Sequence, residues 1–118
     1  MFKVKNFGAY KIHLAVVALC LLVPTSAWAQ SITATIVGTV TDPGGAAVPN
    51  AQVTARNVET GLSRTVTSSD EGTYRIEFLP VGKYTVDVTL SGFKRANVSD
   101  IVLEVNDTKR VDVSLSVG

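Results

Sequence analysis

From Gln30 onward the sequence contains neither histidine nor cysteine. A Ser-His or Cys-His nucleophile and a typical zinc centre each need an imidazole or a thiolate, so neither can be assembled there. What remains for chemistry is carboxylates, amines, hydroxyls and aromatic rings. Glu77 and Asp87 stand in the most regular apolar pattern of the chain, but both occupy its polar positions. That parity makes them solvated surface charge rather than a paired acid and base. Asp42, Asp70, Glu71, Asp100 and Asp107 stand in or beside turn segments. Calcium needs about 6–8 oxygen ligands and is announced by a dense Asp/Asn/Gly run, which these acids do not form. Turn-forming side chains account for them. No residue is therefore assigned as catalytic, cofactor-binding or metal-ligating.

Tyr74, Phe78, Tyr84 and Phe93 could in principle stack on a sugar. The first three fall on the apolar parity, and Phe93 follows Gly92 where it can close a core. Core packing is the preferred reading, since buried aromatics dominate small cores. Asn97-Val98-Ser99 and Asn106-Asp107-Thr108 fit the glycosylation pattern, which is short and common by chance. An intramolecular isopeptide would need an acid where Val88 stands and a lysine on the first strand, and has neither.

The elements that must position these residues centre on Asp70–Leu90. Tyr74, Ile76 and Phe78 alternate with Thr73, Arg75 and Glu77; after the bend Leu79-Pro80-Val81-Gly82, Tyr84, Val86, Val88 and Leu90 alternate with Thr85, Asp87 and Thr89. A period of two predicts two half-buried strands. Pro80 lacks a ladder donor and ends the first of them.

Strands are also predicted over 34–42, 52–57 and 62–67, the last with the weakest apolar pattern and so a candidate edge. In the first, Gly38 sits on the inward side, where a missing side chain marks a bulge or a close backbone approach. The loop Asp42–Pro49 is rich in glycine, and its backbone could approach a partner closely. An irregular segment over 93–98 precedes Ile101, Leu103 and Val105, and then Val111, Val113, Leu115 and Val117. A three-residue loop at 106–108 would set Leu103 opposite Val111 and Ile101 opposite Val113, with apolar residues on one face. Seven short strands and no helical period beyond residue 29 predict an all-β, seven-stranded antiparallel β-sandwich over 34–118, after a polar lead at 30–33.

Residues 1–29 read differently. Lys3, Lys5 and Lys11 precede the apolar run Leu14–Val23, Pro24 breaks it, and Ala27-Trp28-Ala29 supplies small residues before Gln30. This order is that of a secretory signal cleaved between Ala29 and Gln30. The apolar run is too short for a membrane span, which takes about 20 residues. Cys20 follows Leu19 inside the run and is not a lipidation site. Cleavage leaves 89 residues with eight basic and ten acidic side chains, a net charge of about −2 that offers nucleic acid no clustered basic surface. Disulfides are then impossible, and one packed core must hold so short a chain.

The run Gly38-Thr-Val-Thr-Asp-Pro-Gly-Gly-Ala-Ala-Val-Pro-Asn-Ala-Gln-Val53, with Asp70-Glu-Gly-Thr-Tyr-Arg-Ile-Glu-Phe-Leu-Pro-Val-Gly-Lys-Tyr-Thr-Val-Asp-Val88 and Ser91-Gly-Phe-Lys94, resembles the carboxypeptidase regulatory-like domain. The likeness extends from Ile36 to about Leu115. Asn50 departs from the family's usual glycine, a mild change because Asn tolerates left-handed backbone. The resemblance implies a transthyretin-like sandwich, classed with carbohydrate-binding-like folds, that serves as a non-catalytic module on secreted bacterial proteins. A signal followed directly by such a domain is similar to the start of Oar-like TonB-dependent outer-membrane receptors. These continue, beyond a position like Gly118, into a plug and a barrel, and only through that barrel would the module meet the membrane. The resemblance thus implies an exported interaction module of the periplasm or outer membrane, with a protein or cell-envelope partner. Alternatives are a carbohydrate-binding module and the accessory domain of a secreted peptidase. Ligand-binding residues stay unassigned.

Export can be checked directly. N-terminal sequencing of the secreted chain should begin at Gln30; retention of Met1, or a lipid on Cys20, would contradict the signal reading.

Overall fold

A computed structural model describes residues 32–118; the signal segment and the Ala29–Gln30 boundary lie outside the described residues. Among the described residues the chain forms β1 (Thr33–Thr41), β2 (Gln52–Asn57), β3 (Ser63–Thr67), β4 (Thr73–Pro80), β5 (Gly82–Thr89), β6 (Ala96–Leu103), β7 (Thr108–Arg110) and β8 (Val113–Ser114). One sheet runs β4-β1-β7 with β8 also beside β1, and the other runs β3-β2-β5-β6. The expected β-sandwich is therefore present, and β3 is an edge strand as its weak pattern predicts.

The core lies between the sheets. Ile36, Val40, Ile76 and Leu79 face Val53, Ala55, Tyr84, Val86, Val88 and Leu103, all essentially without solvent contact. Each large aliphatic side chain so buried stabilises the fold by about 1.5–3 kcal/mol relative to exposure. The parity expected for β5 holds, except that Thr85 and Asp87 are only partly exposed.

Eight segments stand where seven strands are expected because the last strand is broken. β7 and β8 both run parallel to β1, pairing Thr35 with Thr108 and Val37 with Arg110, then Val40 with Val113. The other strand pairings are antiparallel. At the break, Val111 N–H donates to Val37 O at 2.8 Å, and the Tyr74 hydroxyl donates to Val111 O. The Val111 carbonyl thus turns inward, over Gly38. A Cβ at position 38 would lie 1.8 Å from Val111 O, so only glycine fits, as the inward gap in the sequence suggests. Asp112 then fills the gap in the ladder, its Oδ1 accepting from Thr39 N–H at 3.0 Å and from the Thr39 hydroxyl at 3.1 Å.

Three expectations are corrected. Phe78 is not in the core: between Ile36↔Ile76 and Ala34↔Leu79 the β4 strand carries one extra residue, a bulge that sets Glu77 and Phe78 together opposite Thr35. Leu79 takes the inward place, and Phe78 is 63% exposed. Strict alternation cannot register an inserted residue. Second, Leu103 and Ile101 do not pair with Val111 and Val113. β6 pairs with β5, and the chain then crosses to the other sheet beside β1. Strands on facing sheets point their apolar residues at one core just as a hairpin does, so alternation alone leaves the partner undecided. Third, Val105 and Val117, read as inward, are 50% and 69% exposed. They lie past the ends of the strands that the core covers.

Two predictions follow from the core and the break. Val86→Ala should cost ~1–3 kcal/mol in urea unfolding, and Val88→Asp should prevent folding by burying an unpaired charge. A Val88→Asp chain with the wild-type midpoint would contradict the packing. Tyr74, whose phenol burial pushes up to about 12 from 10.0, with nearby Asp112 adding and Arg110 opposing, stabilises the fold only while protonated. Its folded value is raised, so that stability is present below the unfolded value and drains away as pH rises from about 10 to 12. Tyr74→Phe should lower stability by ~1–2 kcal/mol at neutral pH and lose this alkaline component. In ultraviolet titration the component lost in Tyr74→Phe should be one that ionises above the ordinary tyrosine value; loss of a component at the ordinary value would refute the buried, hydrogen-bonded phenol.

Candidate functional site

The loop acids turn the chain. Asp42 Oδ1 accepts from Gly44 N–H and Ala46 N–H, each at 2.9 Å, and Asp107 Oδ2 accepts from Glu104 N–H at 2.8 Å. Asp100 and Asn50 adopt left-handed backbone, with φ of 59° and 63°. Among the described residues no three His, Cys, Asp or Glu side chains gather as metal ligands. The Asp42–Pro49 loop is pinned rather than open. Val48 is buried, its N–H bonds Val40 O, and the buried Ser68 hydroxyl donates to Val48 O while accepting from Ala51 N–H.

Of the four aromatics, Tyr74 and Tyr84 are in the core, and Phe93 is partly buried against it. Tyr84 also donates its hydroxyl to Pro80 O at 2.6 Å, which fixes the bend between β4 and β5. Asn97 spends its amide on Asp87 at 2.6 Å, and Arg95 bonds the same carboxylate at 2.9 Å. Those bonds, the Asn97 amide first, hold the Asp87 carboxyl below the ordinary aspartate range against the opposing effect of burial. Asp87 thus ties β6 to β5 on the outer face of its sheet, a structural task.

Phe78 is the exception, and the face around it is the candidate site. Across the outer side of the β4-β1-β7 sheet, Glu77 and Phe78 lie beside Thr35 and Thr108, and Arg75 lies beside Val37 and Arg110. Arg75 Nε donates to Glu77 and Arg110 Nε donates to Asp112 at 2.9 Å, both as exposed ion pairs. Arg110, first, and Thr39 hold the Asp112 carboxyl below the usual carboxylate range. Val37, Thr39, Thr73, Arg75 and Arg110, with Val66 and Thr67 at the β3 edge, border a shallow depression of about 380 Å³ that Phe78 does not line. Each guanidinium beside it is paired with a carboxylate, so this face carries charges of both signs in balance.

The sequence pointed to none of these residues as a group. Arg75, Arg110 and Asp112 lie on segments that meet only through β1. The apolar pair Phe78-Leu79, breaking the alternation, is the one local sign of a change of phase.

Comparisons with known proteins agree with this architecture. The chain is 40% identical over 101 residues to the TonB-dependent transporter Oar of Myxococcus xanthus, a match covering 85% of this chain and 9% of the transporter. The chain therefore spans under a tenth of that relative's length. In structure it is similar to the TIE protein of Bacillus anthracis (TM-score 0.62, 18% identity, 73% of this chain and 17% of that one). It is also similar to a Bacteroides uniformis structure described only as a candidate carbohydrate binding protein (TM-score 0.56, 22% identity, 70% and 40%). A catechol 1,2-dioxygenase from Acinetobacter aligns as well (TM-score 0.59, 12% identity, 78% and 55%). At such identities these likenesses speak for the fold alone. The model of the carboxypeptidase regulatory-like domain matches residues 35–116, nearly the whole sandwich, and the chain belongs to that family.

Proposed function

We propose that this domain is a non-catalytic interaction module of the bacterial cell envelope, carried on the N-terminal side of a TonB-dependent outer-membrane receptor and exposed to the periplasm. The observation that carries this reading is the 40% identity to a TonB-dependent transporter, confined to a small fraction of that protein. The side-chain inventory supports it. No imidazole or thiol is available from Gln30 onward, and the acids are engaged in turns and surface ion pairs. The slight negative charge from Gln30 onward disfavours nucleic acid as a partner. Contact with the membrane would come through a barrel beyond Gly118. The partner is a protein or another envelope component.

A second reading, a carbohydrate-binding module, is favoured by one observation, the exposed ring of Phe78.

Expression of the tagged chain in a Gram-negative host, followed by osmotic-shock fractionation, tests the first reading. Recovery with the periplasm or the outer membrane is the expected result. Retention in the cytoplasm would overturn it.

A further inference from the structure

We propose that the free edge of β3 pairs with the same edge of a second copy of this chain, antiparallel about Thr65, so that two four-stranded sheets join into one. This goes beyond the envelope-module reading and does not rest on it.

The ladder to β2 shows which backbone groups of β3 are free. Asn57 N–H donates to Leu62 O at 2.8 Å, and Ser68 N–H donates to Ala51 O at 2.9 Å. Bonded and non-bonded pairs alternate along an antiparallel ladder, so the backbone groups of Arg64 and Val66 also turn to β2. The N–H and C=O of Ser63, Thr65 and Thr67 therefore point off the sheet. Among the described residues nothing meets them there.

The other edges among the described residues are obstructed. β4 carries the bulge at Glu77 and Phe78 and ends at Pro80. β6 sets Ser99 and Asp100 together opposite Thr85, with Asp100 in left-handed backbone. The β7–β8 edge is broken between its two short strands. β3 keeps an unshifted register over its whole length, with no proline and no left-handed residue. Bulges, prolines and short strands keep sheet edges from pairing with other chains, and β3 is the edge that lacks them.

This edge also complements itself. About a twofold axis at Thr65, Ser63 meets the second copy's Thr67 and Thr65 meets its own counterpart. These are the residues whose backbone groups are free, and hydroxyl side chains opposite one another are a favourable cross-strand pairing. Arg64, the one charge on β3, falls opposite the second copy's Val66 and not opposite another arginine. Val66 is only partly buried because no strand lies beyond it, and the apolar stem of Arg64 covers it. The contact is isologous and closes at two copies. Five residues from each copy make a small interface, so the association depends on concentration.

Sedimentation equilibrium of the purified chain from about 10 μM to about 1 mM should show monomer and dimer in exchange. Thr65→Pro removes an N–H that β2 does not use, and Thr65→Lys sets like charges opposite one another. Each should weaken dimerisation by about tenfold or more while the β-sheet circular dichroism is kept. In a Cys20→Ser background an introduced thiol is the only one. Thr65→Cys should then oxidise to a linked dimer. Ser63→Cys should cross-link to Thr67→Cys in preference to itself, because its own counterpart stands about 13 Å away along the strand. Ser99→Cys, on the β6 edge, should stay monomeric. A chain that is monomeric throughout the range leaves the edge to strands of other proteins and overturns the proposal. So does a dimer indifferent to both Thr65→Pro and Thr65→Lys, or cross-linking no greater at Thr65 than at Ser99.

Discussion

The approach of the Val111 carbonyl to Gly38 is the contact on which much of this domain depends. Strand β1 is the centre of its sheet, and its C-terminal neighbour can pass only if the chain has no side chain at position 38. The same carbonyl accepts the Tyr74 hydroxyl from β4, so three segments distant in sequence are fixed at one oxygen. Turning that carbonyl inward interrupts the β1 ladder. Asp112 repairs the interruption with a carboxylate in place of a backbone acceptor. A buried polar group left unpaired costs about 1–3 kcal/mol, so the break survives because both of its sides are satisfied.

The repair shapes the outer surface as well. Once Asp112 is committed to Thr39, Arg110 leans to it through Nε and keeps its remaining donors for solvent. On the far side of β1 the bulge at Glu77 and Phe78 does something similar with an aromatic ring. An edge strand carrying a bulge and charges is also protected from pairing with another chain's strand, so the features that decorate this face guard its edge. The other sheet is different in character. Its outer side is held by Asp87, whose carboxylate is used up by Asn97 and Arg95.

Without cysteine from Gln30 onward, a domain of this size must reach stability through packing and backbone pairing alone. The economy of the loops reflects that need. Asp42, Asn57, Ser68 and Asp107 each satisfy backbone groups that would otherwise be stranded at the ends of strands. Asn57 is itself buried, accepting from Glu59 N–H and Thr60 N–H, and its amide crowds the place where a side chain at Gly82 would go. These polar residues are part of the fold's framework, which is why the loop acids are poor candidates for chemistry.

The sequence by itself determined the class of fold, the inward parity of β2 and β5, the edge position of β3 and the special status of Gly38. These are local or periodic properties: a half-buried strand must alternate, and a missing side chain on the inward face must leave room for something. The family motif running through Tyr74 and Tyr84 was legible for the same reason. Tertiary structure alone decided which strands pair after Leu103, where the last strand breaks and on which side Phe78 falls. Alternation records which face meets the core, but it cannot tell a hairpin partner from a strand on the opposite sheet, nor count a residue inserted by a bulge. The arginine pair across Val37 was hidden for a related reason. Arg75 and Arg110 become neighbours only when β1 passes between the strands that carry them, and no spacing within the sequence encodes that meeting.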